Sequence, residues 1–133
     1  MNYNDLVKKA IEAKKFAYTP YSNFKVGAAL ITENGTVYTG ANIENASYGA
    51  TNCAERTAIF KAVSEGHTKI RALAVVGDES QYTYPCGICR QVMIEFATED
   101  FKIIIVKNKD EYIVKTIEEI LPGAFTIENL KKH

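Results

Sequence analysis

The sequence has no apolar run approaching the ~20 residues needed to cross a bilayer, which excludes a helical membrane span. Its first residues, Met1-Asn2-Tyr3-Asn4-Asp5, offer no basic head leading into an apolar core. No secretory leader is expected from them, and a cytoplasmic protein is the default. Net charge is missing too, because 16 Lys and Arg balance 16 Asp and Glu. That balance gives no electrostatic reason to expect a nucleic-acid polymer or an anionic membrane as partner. No basic run exceeds Lys131-Lys132. Cysteine is scarce and odd in number, with three in 133 residues. An odd count without an export signal makes a disulfide scaffold a poor reading, and metal binding or redox chemistry a better one. Repeats, low-complexity segments and linkers are absent as well.

The residues that are present, 47% hydrophobic and 24% charged, have the profile of an ordinary globular protein. One domain over residues 1–133 is expected, long enough to bury roughly two-thirds of its unfolded surface. Leu6, Ala10, Ala13 and Ala17 share one face at helical period, with Asn4 as a plausible cap and Pro20 as a stop. Phe24 to Thr32 and Thr36 to Gly40 read as strands joined through Asn34-Gly35, a strong hairpin signal. A loop from Ala41 to Asn52 leads to a helix over Cys53 to Glu65, ended by Gly66. Arg71 to Val76 is apolar enough for a strand buried on both faces. Cys86 to Ala97 is the next helix. Phe101 to Val106 and Tyr112 to Val114 form a second hairpin. Thr116-Ile117-Glu118-Glu119 has capping-box spacing and starts a short helix, and Thr126 to Leu130 closes the chain. This order predicts an α/β fold. Three layers, α/β/α, enclose a five-stranded mixed sheet whose last two strands form an antiparallel hairpin.

The chemistry concentrates in Cys53-Ala54-Glu55 and Pro85-Cys86-Gly87-Ile88-Cys89. Both groups fall at predicted helix starts, where free N–H groups and the helix dipole favour thiolate over thiol. Cys86 and Cys89, one turn apart, can share a metal ion that Cys53 completes. A structural zinc site uses four protein ligands, whereas a catalytic one uses three and leaves a position for water. The histidines are poor fourth ligands: His133 is the last residue, and a helix would carry His67 roughly 20 Å from Cys53. Zinc with three thiolates is net negative, which opposes ionisation of bound water. Arg56, three residues beyond Cys53 on the same side of the helix, is predicted to hydrogen-bond a thiolate and balance that charge. Glu55 is left as the acid/base group. Taken singly, each residue has a plainer reading: a CxxC pair as a redox or structural-zinc motif, a lone cysteine as a small hydrophobe, Glu55 and Arg56 as solvated helix residues.

The pair of motifs matches the zinc-deaminase signature in its three-cysteine form. From about Tyr18 to Phe125 the chain resembles the small, homotetrameric cytidine deaminases. The resemblance rests on Tyr18-Thr19-Pro20-Tyr21-Ser22-Asn23-Phe24-Lys25-Val26-Gly27-Ala28-Ala29-Leu30, Gly40-Ala41-Asn42-Ile43-Glu44-Asn45-Ala46, Asn52-Cys53-Ala54-Glu55-Arg56-Thr57-Ala58, Pro85-Cys86-Gly87-Ile88-Cys89-Arg90-Gln91 and Leu121-Pro122-Gly123-Ala124-Phe125. It implies one Zn2+ per subunit and hydrolysis of cytidine and 2′-deoxycytidine to the uridines and ammonia, in pyrimidine salvage. It further implies that Phe24 packs on the pyrimidine, that Asn42 and Glu44 bind the ribose hydroxyls, and that the Ala54 N–H faces the base carbonyl. Tyr48 and Phe125 would visit the sites of neighbouring subunits. The final hairpin, with no helix inserted, fits the free-nucleoside deaminases rather than their nucleic-acid-editing relatives. Three rivals stand beside this reading: a deaminase of another aminopyrimidine, a module with structural zinc, and a thiol redox protein using Cys86 and Cys89.

Overall fold

A computed structural model describes residues 2–131. Helix α1 (Tyr3–Ala13) buries Leu6, Val7, Ala10 and Ala13 on one face. Its cap is Asn2 rather than Asn4. Asn2 has extended backbone and its side chain accepts the Asn4 N–H, whereas Asn4 is already helical and its side chain receives the Tyr112 hydroxyl at 3.1 Å. The helix tightens into a 3-10 turn at Lys14–Phe16 instead of running on to Ala17.

Strands β1 (Gly27–Thr32) and β2 (Val37–Ala41) form the expected hairpin, with Gly35 in the left-handed region at φ 92°. β1 starts three residues later than the sequence suggests, because the backbone at Phe24 and Val26 pairs with a side chain instead of a strand. Helix α2 (Ala54–Ser64) leads to β3 (Ile70–Val76), and α3 (Gly87–Phe96) to β4 (Ala97–Asn108) and β5 (Glu111–Thr116). β4 is longer than the predicted strand, which begins at Phe101: it continues straight from α3, with Ala97 opposite Ile70. Short helices α4 (Ile117–Ile120) and α5 (Ile127–Lys131) follow, and the capping box at Thr116 and Glu119 is formed as read.

The sheet order is β2-β1-β3-β4-β5, with β3 and β4 parallel and every other pair antiparallel. Strand alternation divides its apolar residues between two layers. Ala28, Leu30, Leu73, Val75, Ile103 and Ile105 pack with α2 and α3 through Ala58, Ile59 and Met93. Ala29, Ala72, Ala74, Ile104 and Val106 pack with Leu6, Val7 and Ala10 of α1. The three-layer α/β/α arrangement and its terminal hairpin are those expected from the order of elements. β3 is the central strand and is buried along nearly all its length. Gly40 brings α2 close to the sheet edge, since a Cβ there would lie 2.6 Å from the Ala54 carbonyl. That approach fixes where α2 starts, and the site is built on that start.

Candidate active site

Cys53 and Cys86 are the N-cap residues of α2 and α3, both with extended backbone. Their sulfurs lie 3.7 Å apart. With Cys89 they form a cluster whose ligand atoms are all within 4.8 Å of one another. Two sulfurs on one tetrahedral zinc, with bonds of ~2.3 Å, sit about 3.8 Å apart. The Cys89 N–H donates to Cys86 Sγ at 3.4 Å, and the Arg56 guanidinium donates to Cys53 Sγ at 3.3 Å through Nη2. Three sulfurs converging on one point, with cationic and N–H donors behind them, suit a zinc ion.

Among the described residues no fourth His, Cys, Asp or Glu joins this group. His67 packs against Tyr38 with ring centroids 5.7 Å apart, and His133 lies outside the described residues. All three cysteines are free. The redox reading used Cys86 and Cys89 and left Cys53 without a task; the geometry draws all three into one cluster.

The electrostatics separate four groups of the site. Hydrogen bonds from Cys89 and then from Arg56 hold the Cys53 thiol well below its ordinary value. Donation to Cys53, together with burial, pushes Cys89 up. Arg56 is held firmly as the cation by its bond to Cys53. Glu55 is 4% exposed, and that burial, reinforced by the neighbouring Cys53 charge, raises its carboxyl to about 7. A carboxyl so placed can both take and return a proton near neutrality.

A cavity of ≈ 250 Å³ opens beside the cluster. Its walls include Cys53, Ala54, Glu55 and Cys86 on one side and Phe24, Asn42 and Glu44 on another. Ala54 is the first residue of α2, so its N–H has no partner within the helix. Asn42 is 9% exposed and serves as scaffold: its Oδ1 accepts the Val26 N–H at 2.9 Å and its Nδ2 donates to the Phe24 carbonyl at 2.8 Å. The side-chain amide thus stands in for a strand partner, which explains the late start of β1. Glu44 is occupied in a similar way. It accepts the Tyr21 and Ser22 N–H groups at 3.0 and 3.1 Å and the Ser22 hydroxyl. The Ser22 hydroxyl bond holds its carboxyl below the usual carboxylate range.

Ser22, Thr51, Thr83 and Tyr84 also line the cavity, and little in their local sequence marks them. Only Tyr84 carries a local signal, since a residue before proline is steered to extended backbone. Tyr48 and Phe125 are not in this wall. Tyr48 is 76% exposed, packs edge-on against Tyr21 at 5.9 Å and lines an adjoining hollow with Glu44 and Thr51. Phe125 is 58% exposed, its carbonyl held by Gln91 at 2.8 Å. Behind the cysteines, Arg90 ties the Pro85 carbonyl to that of Ile120, each at 2.8 Å.

Known proteins resemble this chain in sequence and fold. Residues 1–107 match the family described as the cytidine and deoxycytidylate deaminase zinc-binding region. A cytidine deaminase from Halalkalibacterium halodurans is 52% identical over 130 residues, 98% of each chain. A probable cytidine deaminase from Dictyostelium discoideum is 42% identical over 98% of this chain and 90% of its own. The crystal structure of cytidine deaminase from Burkholderia pseudomallei superposes with a TM-score of 0.88 at 46% identity, covering 94% of this chain and 100% of that one. The geometry and these likenesses agree, and the chain belongs to the cytidine and deoxycytidylate deaminase family of zinc-binding enzymes.

Proposed function

We propose that this chain, as one domain over residues 1–133, hydrolyses cytidine and 2′-deoxycytidine to uridine and 2′-deoxyuridine with release of ammonia. The observation that carries the proposal is the shared cavity, where the three-sulfur cluster and the buried Glu55 meet Phe24, Asn42 and Glu44. Cys53, Cys86 and Cys89 would hold the zinc, which supplies activation of water as a nucleophile at neutral pH. Arg56 offsets the charge of the thiolates.

Glu55 is the group that moves protons. It takes one from the attacking water and delivers it to N3 of the pyrimidine. It then assists the departure of the C4 amine as ammonia, so that one water is consumed and one C–N bond is broken. Its raised pKa suits both directions of transfer. Phe24, 40% exposed at the cavity wall, offers its ring to the base. The Ala54 N–H, free at the start of α2, is directed to the base carbonyl.

Asn42 and Glu44 bind the ribose hydroxyls with what their scaffold bonds leave free. The amide keeps one N–H and one lone pair, and the carboxylate keeps one of about four acceptor positions. A substrate without a sugar leaves these groups unanswered, which favours a nucleoside over a free base.

The assembly is a homotetramer in which exposed Tyr48 and Phe125 complete neighbouring sites. The protein is proposed to work in the cytoplasm, in pyrimidine salvage. Among the described residues no helix is long and apolar enough to cross a membrane. The test is direct: purified protein is mixed with cytidine, and ultraviolet absorbance and ammonia are followed together. Stoichiometric ammonia with conversion to uridine supports the proposal, and an inert zinc-loaded protein refutes it.

A further inference from the structure

Just past the end of β3, at Gly77, three parts of the molecule meet with no space between them. A Cβ on Gly77 would stand 2.6 Å from Thr83 Oγ1, 3.1 Å from Thr83 Cγ2 and 2.7 Å from Cζ of Phe24. All three distances are shorter than ordinary van der Waals contact, so the bare Gly77 backbone is the floor on which Phe24 and Thr83 rest together. From beneath, the Lys14 ammonium donates to the Gly77 carbonyl at 2.6 Å and lies 3.8 Å from the Glu79 carboxylate. The floor is therefore tied to the end of α1.

Thr83 belongs to the cavity wall along with Phe24. Its hydroxyl is buried and has no hydrogen-bond partner among the described residues. Burying an unpartnered hydroxyl is unfavourable, so what Thr83 contributes here is its shape. Phe24 needs such support. It lies before β1 on irregular backbone, next to Asn23 with its φ of 58°. Its carbonyl is fixed by Asn42, but the residue is 40% exposed, with its Cζ end resting at Gly77.

We propose that Thr83 is a positioning residue for the deaminase reaction, which together with Gly77 cradles the Phe24 ring and sets the face it presents to the nucleobase. This inference rests on the nucleoside reading of the cavity. Thr83 acts through Phe24 and has no part in the chemistry at Glu55. Its loss therefore weakens substrate binding and leaves the chemical step largely intact.

The experiment compares Thr83→Ala, Thr83→Val, Gly77→Ala and Phe24→Ala in zinc-loaded enzyme, with KM and kcat for cytidine, zinc content and melting temperature for each. Thr83→Ala is expected to raise KM about fivefold to tenfold with kcat nearly unchanged and zinc retained. Thr83→Val, which restores the shape without the hydroxyl, is expected to return KM most of the way to that of the parent. Gly77→Ala sets its Cβ against side-chain atoms only, those of Thr83 and Phe24; it is expected to fold with both side chains displaced, and to raise KM as Thr83→Ala does.

An unchanged KM in Thr83→Ala, where Phe24→Ala raises it, overturns the cradle alone. Equal increases in Thr83→Ala and Thr83→Val overturn it in favour of direct contact between the hydroxyl and substrate. Loss of zinc or of kcat in Thr83→Ala overturns it in favour of general structural support. An unchanged KM in Phe24→Ala overturns the nucleoside reading of the site, and the cradle with it.

Discussion

Glu55 sits in the second position of α2, where an acidic residue is ordinarily a solvated partner of the helix dipole. Here it is buried beside a thiolate instead. Glu55→Gln keeps the shape and removes the exchangeable proton. Activity on cytidine is expected to fall about a thousandfold or more, with zinc content by elemental analysis unchanged; retained turnover would refute the proton-carrier role. Arg56→Ala removes a donor to Cys53 but no atom that handles a proton, so a smaller loss of about 10- to 100-fold in activity or zinc affinity is expected. Metal titration and steady-state rates check it, and an unchanged enzyme would remove Arg56 from the site. Asn42→Asp sets a carboxylate oxygen against the Phe24 carbonyl where an N–H now donates. A loss of about 2 kcal/mol in urea unfolding is expected. Cys53, Glu55, Arg56, Cys86 and Cys89 were legible because their chemistry is written in short spacings. The scaffold role of Asn42 was not, because it depends on backbone groups 16 and 18 residues away.

Local signals located the helices and strands, and long-range pairing corrected their ends. Asn34-Gly35 and the Thr116 capping box were readable because each works within four residues. The extension of β4 back to Ala97 was not, since it depends on Ala97 meeting Ile70 of β3 across a shift in register. The capping box also carries a pH dependence. The Thr116 N–H, donating to Glu119, holds its carboxyl below the ordinary value. A lowered pKa means stability present above the unfolded value of 4.5 and lost as pH falls through the folded one. The Thr116 and Glu119 amide resonances should therefore shift as pH drops below that value. Glu119→Gln, which still caps, should abolish the shift; a titration that persists in that variant would point to another acid.

Zinc chelation distinguishes a catalytic site from a structural one at the level of the whole chain. The layer under α1, with Val7 and Ile104, contains none of the cysteines, and the other, which buried Cys89 joins with Cys53 packed against it, is otherwise built from sheet and helix residues such as Leu30 and Ile59. The chelated protein is thus expected to remain folded and cooperative, melting at a lower temperature and regaining activity when zinc returns. Circular dichroism and melting curves on the same sample check this, and collapse to an unfolded chain would favour the structural-zinc reading.

The parallel pairing of β3 with β4 has a consequence in time as well as in space. A parallel pair cannot be closed by a tight turn, and here the chain must cross over through α3, which carries Cys86 and Cys89. Cys53 precedes β3 and lies 33 residues from Cys86, so the full ligand set forms only once α2 and α3 have come together across the chain that includes the central strand. Such non-local closures come late in folding. Zinc should then leave the refolding rate nearly untouched while slowing unfolding, acting as a latch that drops after the door has shut.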